Sequence, residues 1–101
     1  MNHEELVYRP ATLRVRAELR IAIGQTDQAE ADFRDSIAMA RSMNAKAREL
    51  RTTMSFARLL DQQQGRNEAR ELLTETYNWF TEGFDTADLK EARALLDRLS
   101  R

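Results

Sequence analysis

The chain has 101 residues, 42% apolar and 33% charged, and its charges nearly cancel to a formal net charge of -1. That length suits one domain with a single core, and the charge balance lacks the basic excess expected of a nucleic-acid binder. The absence of cysteine excludes disulfides and thiolate metal sites, and no apolar run approaches the roughly 18–20 residues that span a bilayer.

The first residues, Met-Asn-His-Glu-Glu, lack the charged-then-apolar order of a secretory signal. A soluble protein of the reducing cytoplasm is the expectation. Positive charge is carried by fourteen arginines against only Lys46 and Lys90. Solvated helix faces are the simplest reading of that bias.

In chain order, Pro10 opens a helix to about Ile23, because its missing N–H costs nothing in a first turn. Residues 3–8 read equally as a backward extension, kinked at Pro10, or as a tail. Leu13, Ala17 and Ile21 form one stripe of this helix, and Val15, Leu19 and Ala22 a second, so cover on two sides is expected. Gly24 supplies a left-handed cap, with Thr26 and Asp27 as the next N-cap candidates.

A second helix, about 27–43, carries Ala29, Phe33, Ser36, Ile37 and Ala40 at helical spacing, and Asn44 breaks it. The third, about 45–64, presents Leu50, Met54, Ala57 and Leu60, with Phe56 and Leu59 beside them. Gly65 makes the next turn and Asn67 caps a fourth helix, whose stripe is Ala69, Leu72, Leu73, Thr76, Tyr77 and Phe80. Gly83 is available for positive φ in the following turn. Asp85 or Thr86 starts a last helix, with Leu89, Ala92, Leu96 and Leu99 on one face, and with Asp88 and Glu91 in its early turns and Arg98 and Arg101 at its end, as the dipole favours. No alternating strand pattern competes. The fold class is all-α, with about five helices.

One spacing pattern occurs twice, forty residues apart. Ala17, Ala29 and Phe33 surround Gly24; Ala57, Ala69 and Leu73 surround Gly65, which stands one place later than strict register. Paired helices repeating at this length predict a helical-hairpin solenoid, in which each unit needs a neighbour to bury its apolar face. The units are about 10–44 and 45–84, with a capping helix at about 85–100, within one domain of residues 1–101. Glu68-Ala-Arg-Glu-Leu-Leu and Glu91-Ala-Arg-Ala-Leu-Leu read as a repeated packing solution.

These residues resemble the tetratricopeptide repeat. Its small positions match Ala17, Ala29 and Ser36, then Ala57, Ala69 and Thr76; its larger packing positions match Leu13 and Phe33, then Leu73. Arg16 and Arg20 depart from it, standing where Phe56 and Leu60 stand in the second unit, and a forty-residue period exceeds the usual thirty-four. Asn67 to Leu73 and Tyr77 to Ala92 also resemble the C-terminal end of a bacterial signalling family, most specifically from Trp79 to Leu89. In that family, adenylate or guanylate cyclases or P-loop ATPase transcription regulators are followed by long tetratricopeptide-like arrays. The resemblance implies the last two and a half repeats of such an array, and no catalytic residues.

The resemblance also implies that the first helix of each pair lines a concave groove, near which it places Arg14, Glu18, Arg51, Met54 and Arg58. Three arginines there would clamp an acidic peptide or a C-terminal carboxylate; alternatively, they pair with carboxylates of the chain itself. The aromatic cluster Tyr77, Trp79, Phe80 and Phe84 reads either as an interface anchor or as the lid joining the last two helices, with Trp79 off the stripe and exposed.

His3 stands alone, so neither catalysis nor a metal site is expected. Asp32, Asp35, Glu68 and Glu71 are expected on solvated faces. No cofactor, nucleic acid or membrane partner is expected. The expected function is protein–protein interaction or regulation, with a protein or peptide partner, other domains of a parent protein included. The alternatives are a structural cap, or an adaptor whose first hairpin forms a homodimer through Val15 and Leu19.

Overall fold

The computed structural model describes residues 10–80 and 86–100. The described residues form five helices and no strand: α1 (Pro10–Ala22), α2 (Thr26–Ser42), α3 (Lys46–Gln62), α4 (Arg66–Tyr77) and α5 (Ala87–Leu99). Expectations placed on residues 3–8, His3, Gly83, Phe84, Asp85 and Arg101 lie outside the described residues. No helix among those described is long and apolar enough to cross a membrane.

Three links between helices share one geometry. Gly24, Asn44 and Gln64 take φ of 83, 54 and 65°, twenty residues apart. Directly after each, the amides of Gln25, Ala45 and Gly65 donate to the carbonyls of Arg20, Ala40 and Leu60 at 2.7, 2.8 and 2.7 Å. The amides of Gly24, Asn44 and Gln64 donate to Ile21, Arg41 and Asp61 at 3.1, 3.0 and 3.2 Å. This pair of bonds is the Schellman closure, which satisfies carbonyls that a helix end leaves orphaned.

Two expectations are corrected by this closure. The left-handed residue of the third link is Gln64, while Gly65 has φ of -95°. The backbone period is therefore a strict forty residues, from Gly24 to Gln64, and the apparent one-place slip of Gly65 disappears. The turn is also so tight that its last residue is already the next N-cap. Gln25 and Gly65 hold that position with no side-chain cap, in place of Thr26, Asp27 and Asn67. Thr86 does cap α5, its hydroxyl accepting from the Leu89 amide at 3.4 Å.

α1 packs on α2 and α3, α3 on α2, α4 and α5, and α4 on α5. One layer thus holds α1, α3 and α5 in succession, and α2 and α4 cover it. Ala17, Ala29, Ser36, Ala57, Ala69 and Thr76 are all fully buried, where small side chains let helices approach closely. Between the hairpins, the rings of Phe33 and Phe56 stack at 5.6 Å, each fully buried. Burial of this kind contributes about 2–3 kcal/mol per aromatic side chain. Ser36 donates to the Pro10 carbonyl at 2.7 Å and meets the Thr52 hydroxyl at 2.9 Å, tying α2 to both neighbours in the other layer. The two leucine-rich repeated strings bury the same alanine but not the same leucine: Leu73 follows Ala69 by four, whereas Leu95 follows Ala92 by three.

The departures at Arg16 and Arg20 have a structural reason. Arg16 grips Asp32 with two bonds, Nε to Oδ2 at 3.0 Å and Nη2 to Oδ1 at 2.7 Å, and Arg20 Nη1 reaches Oδ2 at 3.1 Å. Forty residues on, the same three places hold Phe56, Leu60 and Leu72. One hairpin closes with a charge clamp where the other closes with apolar side chains. Asp32, expected on a solvated face, is instead buried at 2% exposure; Asp35, Glu68 and Glu71 are exposed. The stripe Val15, Leu19 and Ala22, expected to be covered, is exposed among the described residues.

Candidate functional site

The face shared by α1, α3 and α5 collects three of the four residues expected to bind a partner. On α3, Arg51, Ser55 and Arg58 fall at spacings of four and three, one stripe of a helix. On α5, Asp88 and Glu91 fall three apart, opposite that stripe. The bridges are Arg51 Nε to Asp88 Oδ2 at 2.9 Å and Arg58 Nη2 to Glu91 Oε1. On α1, Arg14 Nη1 donates to Glu18 Oε1 at 3.2 Å, and Ser55 of α3 donates to the same oxygen at 3.0 Å. Arg14, Arg51 and Arg58 are thereby brought to one face, each holding a carboxylate of the chain.

Two small clefts open on this face. One of about 240 Å³ lies between α1 and α3, edged by Glu18, Ile21, Ser55, Arg58 and Gln62. The other, about 140 Å³, lies between α3 and α5, edged by Arg58, Glu91, Ala94 and Arg98. Arg58 borders both. Met54, expected near this surface, is buried at 3% exposure, in the stripe it shares with the buried Leu50 and Ala57.

Trp79 is not part of this face and is not freely exposed as expected. It is half-buried where the ends of α2, α3 and α4 meet. The Arg41 guanidinium carbon lies 5.3 Å from its ring centroid, within cation–π range. Arg41 Nε also donates at 2.7 Å to Glu49, a carboxylate 2% exposed. A cleft of about 360 Å³ opens beside them, next to Asn44 and Lys46. Tyr77 and Phe80 pack against the core, in line with a lid joining α4 and α5. On the other side of α2, Arg34 bonds Glu30 at 2.8 Å and Glu68 of α4 at 3.3 Å, and its guanidinium lies 4.9 Å from the Phe56 ring centroid. The bond to Glu30, more than any other cause, raises its pKa above the ordinary arginine value.

Sequence reasoning placed Asp88 and Glu91 in the early turns of α5 but did not connect them to Arg51 and Arg58. The link depends on the angle at which α5 docks, and no spacing within the chain encodes it. The clamp on Asp32 did leave a signal. At a shift of forty, all three apolar places of one unit are replaced in the other by charges, two positive and one negative. No group of three or more His, Cys, Asp or Glu that would hold a metal ion occurs among the described residues. No family model matches the chain, and no curated protein or solved structure matches it either.

Proposed function

We propose that the chain is a tetratricopeptide-like protein–protein interaction or regulatory module of the cytoplasm, forming the C-terminal repeat segment of a multidomain bacterial signalling protein. The parent would be of the cyclase-like or ATPase-regulator-like kind. The two hairpins of strict forty-residue period, with buried small residues at matching places, support the repeat reading. The single observation carrying the binding role is the row of Arg14, Arg51 and Arg58 on the α1, α3 and α5 face.

These arginines hold exposed carboxylates, and such surface pairs are worth only about 0–1 kcal/mol. An incoming acidic side chain or C-terminal carboxylate would replace Asp88 or Glu91 at little cost, and a bidentate contact would strengthen the exchange. Acidic peptides and their neutralised counterparts, titrated against the full chain, test the role. Only the acidic set should bind, and Arg51→Glu with Arg58→Glu should abolish binding. In the longer protein, deleting the segment should change the cyclase or ATPase rate.

A second reading, a structural cap that binds nothing, is favoured by the fact that all three arginines are already paired. A chain that ignores acidic peptides, and whose Arg51→Glu with Arg58→Glu variant leaves the parent's activity unchanged, would establish it.

A further inference from the structure

Four large hydrophobic residues are exposed among those described; two of them lie on one row of α1, and a third, Ile23, continues it just past the helix end. Val15, Leu19 and Ile23 are 46%, 63% and 69% exposed and follow one another at intervals of four. Ala11 extends the row by a further turn, and a cleft of about 420 Å³ runs along it. An i, i+4 row free of charge is a ridge ready to pack against another helix.

The internal repeat tells what such a row faces. A shift of forty carries Val15, Leu19 and Ile23 onto Ser55, Leu59 and Gln63. In α3 that row looks at α1: Ser55 bonds Glu18, and Leu59 is buried. The next row of α3 looks instead at α2: Thr52 meets Ser36, and Phe56 stacks on Phe33. Carried back to α1, the Val15 row looks toward the place of one more helix in its own layer. The row of Thr12, Arg16 and Arg20 looks toward the place of one more helix in the covering layer. Arg16 and Arg20 of that second row turn their charges to the buried Asp32, so no apolar ridge faces that place. The apolar part of this edge is therefore the single ridge of α1.

We propose that the occupant is α1 of a second copy of this chain, laid antiparallel about a two-fold axis near Ala17. Two features favour it. The row is bordered on one side by Arg14 and Glu18, so a two-fold apposition sets Arg14 of each copy beside Glu18 of the other, and the border is complementary to itself. The far end of the fold offers no match for the row, since α5 exposes no large hydrophobic residue among those described. Head-to-tail stacking thus leaves the row unpaired, and two-fold pairing covers it. One 13-residue helix pair buries less than the roughly 1,200 Å² of a standard stable interface. The dimer is accordingly weak and in equilibrium with monomer. The interface shares Arg14 with the arginine groove, and the Leu19→Glu and cysteine variants test it apart from that groove.

Sedimentation equilibrium of the full chain from micromolar to millimolar concentration tests it. The mass should rise from 11.7 kDa toward twice that value. Leu19→Glu should hold it at the monomer mass with an unchanged helical circular dichroism signal, and Val15→Asp should do the same. Arg14→Glu and Glu18→Arg should each weaken the dimer roughly three- to ten-fold, and together restore it. With no native cysteine, Val15→Cys mixed with Leu19→Cys should cross-link on oxidation. Ile23→Cys should not, its two copies lying about 18 Å apart along the axis. A strict monomer at millimolar concentration overturns the proposal, as does a dimer that Leu19→Glu leaves intact. Efficient linkage through Ile23→Cys overturns the antiparallel arrangement.

Discussion

The third interhelical link allows a stability test whose sign depends on which residue is left-handed. Gln64 has φ of 65°, and Gly65, with φ of -95°, follows it. An L-residue other than Asn or Asp held left-handed is strained by roughly 1–2 kcal/mol. Replacing it with glycine removes that strain but adds roughly 0.5–1 kcal/mol of backbone entropy to the unfolded chain. Gln64→Gly should therefore stabilise by about 0.5–1 kcal/mol. A Cβ on Gly65 would lie 3.2 Å from the Leu60 carbonyl oxygen, a tight contact. Gln25 and Ala45 nonetheless carry a Cβ at the corresponding place in the other two links. Gly65→Ala should consequently stay within about 0.5 kcal/mol of the parent, small backbone relief offsetting the entropy gain.

Moving the glycine one place earlier, as Gln64→Gly with Gly65→Ala, should then raise Tm by about 2–6 °C at this chain length. Thermal unfolding followed by circular dichroism at low micromolar concentration reads the shift without contribution from association. If Gly65 were instead the left-handed residue, Gly65→Ala would destabilise by more than about 1 kcal/mol and Gln64→Gly would add only disorder. A double variant that melts lower than the parent refutes the assignment.

The Thr53 hydroxyl is buried with no hydrogen-bond partner among the described residues, so Thr53→Val should stabilise by about 1 kcal/mol in urea denaturation. Asp32→Leu should destabilise by about 2–3 kcal/mol by stranding Arg16 and Arg20, whose side chains remain about a third exposed. Arg16→Phe, Arg20→Leu and Asp32→Leu together should recover most of that loss, since they install the closure of the second hairpin. Arg51→Ala and Arg58→Ala should each cost less than about 1 kcal/mol by the same measurement, so any larger effect on peptide binding reports the groove and not the fold.

Helix count, helix type and the buried small residues were legible in the sequence because each follows from local spacing. A 3.6-residue stripe such as Ala29, Phe33, Ser36, Ile37 and Ala40 can bury only one face, and the structure buries all five. The forty-residue period was legible too, though glycine marked it one place off. Gln64 adopts a conformation that its composition does not announce, held there by the bonds of Gly65 to Leu60 and of Gln64 to Asp61.

The candidate face was legible in part. Helical spacing aligned Arg51 with Arg58, but their carboxylate partners lie 37 and 33 residues away, on a helix whose docking angle is set by packing. Likewise Trp79 stood off its own helical stripe and so read as exposed, yet Arg41 from another helix covers its ring.

By itself, then, the sequence determined an all-helical chain of two matching hairpins and a last helix, because backbone hydrogen bonding and amphipathic spacing act over a few residues. Only the tertiary structure decided which charges meet. Arg16 and Arg20 bury Asp32, Arg41 buries Glu49, and the arginines of α3 reach the carboxylates of α5. Long flexible side chains take partners according to the distances that helix packing leaves between them, and those distances exist only once the core has formed.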